Sequence, residues 1–206
     1  MAALAGIPAA LWMLFFSGGV DTLKATLGPH VTDFVKSQFP PEHMPSEADI
    51  ATIIDDVVTW LPRAMAVLWM LALIGNLWLA GRIVTASGNF VRPWPDLAAI
   101  TYPQWTPVLF AVATAASYAS GWLGIGATGF AETFLWAYLL LGLAVMHFVS
   151  RGNAWRGFQL SSLYASLIIL NRPVTYVIAL VGLAETLFHL RARSMAGSKP
   201  TPPPST

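Results

Sequence analysis

Residues 63–81 read RAMAVLWMLALIGNLWLAG. Between the two terminal positions this stretch holds no charge, and its only amide is Asn76. A helix crosses a hydrocarbon core of about 30 Å with about 20 apolar residues at 1.5 Å each. This stretch has that length and composition, so it predicts a transmembrane helix. The rest of the chain agrees. Of 206 residues, 56% are apolar and only 10% are charged, and the mean hydropathy is +0.62. A soluble domain carries about 25% charged residues. So little charge cannot cover a water-facing globule of this size.

The same numbers exclude other classes. The net charge is +1 with no basic stripe, which argues against nucleic-acid binding. There is no cysteine, so disulfides, thiol catalysis and cysteine-held metals are out. No G-x-S-x-G, H-E-x-x-H or phosphate loop occurs, and no metal-ligand spacing is present, so neither an enzyme nor a cofactor is expected.

Outward from 63–81, five further apolar stretches are expected to span: 2–20, 104–122, 129–149, 155–171 and 173–190. The last two are read as a hairpin because Asn171-Arg172-Pro173 interrupts the run. Proline lacks the donor a helix needs and disfavours helix in the residue before it. The expected fold is therefore all-α, a polytopic bundle of about six transmembrane helices forming one domain over 1–194. The tail 195–206, rich in proline, is expected to be disordered.

Charge sets the orientation. Residues 82–103 hold Arg82 and Arg92 against Asp96, residues 150–157 hold Arg151 and Arg156, and the tail holds Arg191, Arg193 and Lys199. Basic residues collect on the cytoplasmic side. Six spans with both termini cytoplasmic put all three segments there. Residues 21–61 hold Lys24 and Lys36 against seven acids and fall outside. Ser46 to Asp49 looks like a capping box, and Ile50, Ile53, Ile54, Val57 and Val58 form one apolar stripe. This segment predicts two amphipathic helices on the outer leaflet.

Ionisable and amide groups inside spans are costly and invite a functional reading. Asn76, His147 and Glu185 lie at a similar depth near the cytoplasmic ends of their spans. If they converge, they form a polar cluster with Arg82 and Arg191 close by, suited to a proton relay or to anchoring a polar ligand. Glu132 sits near the outer end of its span, where it is expected to be solvated or paired with Arg63 or Arg172. The bland alternative is interhelical hydrogen bonding that fixes packing.

From Trp60 onward the chain resembles the YybS-like family of bacterial membrane proteins, a domain of unknown function. The residues that carry the resemblance are Asn76 to Arg82, Arg92-Pro93-Trp94-Pro95, Tyr138 to His147, Gly182-Leu183-Ala184-Glu185 and Leu190 to Arg193. Tyr138 joins the candidate site residues through this motif. The resemblance implies a multi-pass protein of the bacterial inner membrane. It is similar in hydropathy to the substrate-binding components of energy-coupling-factor transporters and to MreD. The expected function is a transport-related or small-ligand-binding subunit that draws energy from a partner membrane protein. The alternative is a membrane scaffold that organises partner proteins. The expected partners are the lipid bilayer, another membrane protein and a small-molecule ligand.

Overall fold

The computed structural model describes residues 20–88 and 96–197. Residues 2–19 of the expected first span, residues 198–206 of the proline-rich tail and the Arg92–Pro95 motif lie outside these residues, while Val20 and residues 195–197, expected in the span and the tail, are helical. Among the described residues every regular element is a helix. In chain order these are α1 (Val20–Gln38), α2 (Glu47–Ala86), α3 (Thr106–Ala116), α4 (Gly121–Val149), α5 (Arg156–Leu170), α6 (Arg172–Phe188) and α7 (Leu190–Gly197), with 3-10 turns at Pro41–His43 and Leu97–Ala99. Two of them, α2 and α4, are long and apolar enough to cross a membrane. The chain divides into two compact units, Met1–Phe90 with Phe110–Phe134, and Val91–Leu109 with Leu135–Thr206.

In the first unit α1 folds back on the first half of α2. Leu23 and Val35 of α1 and Val58 of α2 are buried. Lys24 reaches Asp55 at 2.7 Å, and Gly28 lies near the Ile54 side chain. The start of α2 is set by Ser46, whose hydroxyl accepts from the Asp49 amide at 3.2 Å. The Asp49 carboxylate accepts from the Ser46 amide at 3.1 Å in return. The Ser46 hydroxyl, which lies 2.6 Å from the same carboxylate and donates to it, and then the Ser46 amide, hold the Asp49 carboxyl below its usual value.

The sequence suggested a helix on the leaflet followed by a separate span. The structure instead makes one helix of 40 residues that runs through Pro62. At 1.5 Å per residue it is about 60 Å long, twice a bilayer core. Proline costs the helix one hydrogen bond, and Val58 before it and Ala66 and Met70 after it are buried.

The structure also redraws the 104–122 stretch. α3 ends at Ala116, and the chain turns through Ser117–Ser120 before Gly121, whose φ of 73° opens α4. Gly124 abuts the Ala119 carbonyl so closely that a Cβ would lie 1.9 Å from it. Residues 123–128, expected to form a connection, are the first turns of α4.

In the second unit α4 and α6 meet backbone to backbone. A Cβ on Gly142 would lie 2.0 Å from the Ile178 carbonyl oxygen, and one on Gly182 would lie 2.1 Å from the Tyr138 oxygen. Around this contact Ala137, Tyr138, Leu141, Val145, Ile178 and Ala179 are buried. The expected break is present: α5 ends at Leu170, and Asn171 has φ 47° and ψ −104°. Its carbonyl accepts from both the amide and the hydroxyl of Thr175, so α6 starts directly afterwards.

Candidate functional site

The second unit holds the polar groups. α6 ends where His189 adopts the left-handed conformation, φ 51°, and donates its amide to the Glu185 carbonyl at 2.9 Å. The chain turns there, and α7 begins with Arg191 folded back toward Glu185. The Glu185 carboxylate accepts from the Arg191 amide at 3.0 Å and from Arg191 Nε at 2.9 Å. It therefore satisfies an open donor at the start of α7 and pairs the guanidinium in the same step. Arg191 Nη1 donates to the Ala98 carbonyl, and Nη2 donates to the Ile100 carbonyl at 2.6 Å. The Phe148 ring lies 6.0 Å from the guanidinium carbon. Both charged residues are only 6% exposed. A charge pair this deep is tolerable only when its remaining donors and acceptors are met, and here they are.

Arg191 is one of several groups that hold the strap 96–106. Arg151 donates to both carboxylate oxygens of Asp96, at 2.8 and 2.9 Å. That hydrogen bond, followed by one from the Ala98 amide, holds the Asp96 carboxyl below its usual value. Tyr102 donates to the Ala137 carbonyl at 3.1 Å and meets Tyr138 edge to face. Burial, with Tyr138 beside it, pushes the Tyr102 phenol up to about 12, so it remains a donor at any physiological pH. Gln104 donates to His189 Nε2 at 3.0 Å. Thr106 gives its proton to the Pro103 carbonyl, so the fully buried Tyr138 donates to the Thr106 oxygen, at 2.8 Å. The residues held are 96, 98, 100, 102, 104 and 106, every second one along the strap.

The residues singled out from the sequence fall as follows. Asn76 and Arg82 are exposed on α2, and Glu132 is half-buried on α4, all in the first unit. Arg63 lies over the Trp60 ring at 4.9 Å, and Arg172 donates to the Tyr176 hydroxyl. Tyr138, His147 and Glu185 belong to the second unit with separate partners. His147 Nε2 lies 2.8 Å from the Tyr164 hydroxyl, while Glu185 is taken by Arg191. The strap residues Asp96, Tyr102, Gln104 and Thr106 escaped the sequence reading. The short loop carried no signal beyond its proline and aromatic content. Only the position of Arg191, six residues after Glu185, pointed to the clamp.

Among the described residues every buried side-chain nitrogen and oxygen has a partner, and no group of three or more His, Asp or Glu is placed to hold a metal. The arrangement binds segments of its own chain together. Comparison with family models, curated proteins and solved structures returns no match, so the likeness to the YybS-like family rests on the motifs quoted above.

Proposed function

We propose that this chain is a multi-pass protein of the bacterial inner membrane, kin to the YybS-like proteins. It works as a non-catalytic scaffold that organises partner membrane proteins through helix packing. The six crossings, with both termini cytoplasmic, are 2–20, the apolar part of α2, α3 with the turn that follows it, α4, α5 and α6, and of these α3 is only about 16 Å long as a helix. α5 and α6, about 22 and 26 Å long, are short for a 30 Å core and suit a locally thinned bilayer.

Three contacts support this topology. Arg151 joins Asp96, and Arg191 joins the carbonyls of Ala98 and Ile100. Connections between spans that touch one another directly lie on one face of the membrane. The chain between them then crosses an even number of times, α3 with α4 and α5 with α6. Arg151, Arg156, Arg191 and Arg193 gather on that face, where basic residues belong.

The observation that carries the scaffold reading is the closure of Glu185. It was one of the candidates for a ligand anchor, and Arg191 and the backbone occupy its carboxylate. Purification in mild detergent tests the reading. A scaffold retains a protein partner at fixed stoichiometry, with His147→Ala and Tyr164→Phe unchanged in that respect. A small molecule that copurifies at one equivalent, and is lost in His147→Ala, would favour the ligand-binding transport subunit and overturn the scaffold.

A further inference from the structure

From residue 71 to residue 80 α2 is exposed at every position. For leucines and tryptophans in lipid this is ordinary. For Asn76 it is not. Its carboxamide has no partner among the described residues, and an unmet amide in hydrocarbon is costly. One turn to either side on the same face stand Ala72 and Ala80, with Trp69, Leu73, Leu79 and Ile83 at the edges. This is a notch that lets another helix approach closely, with a hydrogen-bonding group at its centre.

We propose that this face is the contact with a second copy of the chain. Two parallel α2 helices cross at Asn76, and each carboxamide donates to the oxygen of the other. Three features select a second copy. The carboxamide is both donor and acceptor, so it is complementary to itself. A two-fold contact must match its own surface, and Ala72–Asn76–Ala80 is symmetric about the amide. A second copy also carries its amide at the same depth, which is how a lone asparagine at a packing position fixes register and oligomeric state. The charges allow it. Arg63 and Arg82 lie roughly 140° and 120° around the helix from Asn76, so pairing brings no like charges together on this face. The proposal deepens the scaffold reading and rests on α2 lying in the membrane.

The chain has no cysteine, so single cysteines report without background. In native membranes under mild oxidation, Ala72→Cys and Ala80→Cys form disulfide-linked dimers at twice the monomer mass. Ile74→Cys and Trp78→Cys, on the opposite face, do not. Adding Asn76→Leu to Ala72→Cys lowers the dimer about tenfold, the worth of a good interhelical amide bond, and Asn76→Gln retains it. Equal cross-linking from all four positions overturns the proposal, as does none from 72 and 80. So does a bond from Ala72→Cys to a cysteine placed in residues 2–19 of the same chain. Blocking of Ala72→Cys by a water-soluble maleimide in intact membranes would remove the membrane placement itself, a result distinct from the absence of a dimer.

Discussion

Replacing Arg191 with alanine removes three interactions at once. The Glu185 carboxylate keeps only the backbone amide of residue 191, and the carbonyls of Ala98 and Ile100 lose their donors. Removing one partner of a buried ion pair costs about 3–5 kcal/mol, because a charge is left without compensation. The two carbonyls would add about 1 kcal/mol each, but the strap relaxes as a unit and the terms overlap. The expected loss is about 4 kcal/mol. Arg191→Lys recovers little, because an ammonium cannot meet a carboxylate and two carbonyls in the fixed fork of a guanidinium. The assay is unfolding in detergent, read by denaturant titration, with hydrogen exchange measured over residues 96–106. Exchange in the strap should accelerate in step with the lost stability. Combining Arg191→Met with Glu185→Leu should cost at least about 2 kcal/mol less than the sum of the single changes, since each partner is then removed together with the charge it leaves behind. A stability for Arg191→Ala within about 0.5 kcal/mol of the parent, with exchange unchanged, would refute the reasoning.

Other expectations follow from the same geometry. Gly142→Ala and Gly182→Ala each drive a methyl into a facing carbonyl and should cost about 3 kcal/mol, whereas Gly157→Ala, with open space around it, should stabilise by up to about 1 kcal/mol in the same titration. Asn171 sits at φ 47°, so Asn171→Gly should gain up to about 1 kcal/mol, and Asn171→Ile should lose about 2 kcal/mol, read as shifts in the unfolding midpoint. The Asp96 carboxyl lies below its ordinary value of 3.8, so its contribution is complete above that value and fades as the pH falls through the lowered one. Proteolysis within 96–106 should therefore rise only below about pH 4, and Asp96→Asn should show the raised rate already at neutral pH.

What could be read from the sequence was local. Asn171-Arg172-Pro173 forecast the break between α5 and α6 because proline constrains its own neighbours. Ser46 and Asp49 forecast the start of α2 because a capping box lies within four residues. Apolar runs of sufficient length marked α2 and α4. Two boundaries went astray where local signals were weak. The segment 21–61 was expected to end before a separate span, but one helix runs on through Pro62. The alanines and serines of 111–120 suggested one span, but nothing there holds a helix past Ala116. The strap stayed hidden because each of its partners is distant in sequence: Ala137 and Tyr138 on α4, His189 and Arg191 beyond α6. A short loop shows only that it is polar and bent. What it is tied to depends on glycine contacts such as Gly142 with Ile178, which bring α4 and α6 together.

The most direct test of the account is the side of the membrane on which the clamped segments lie. Single cysteines at Ala99, Asn153 and Pro173, all exposed positions, can be probed with a membrane-impermeant maleimide in whole cells and in inverted vesicles. The account predicts that Ala99→Cys and Asn153→Cys react only in inverted vesicles, while Pro173→Cys, at the tip between α5 and α6, reacts only in whole cells. Labelling of all three from the same side, or of Ala99 and Asn153 from opposite sides, would contradict it.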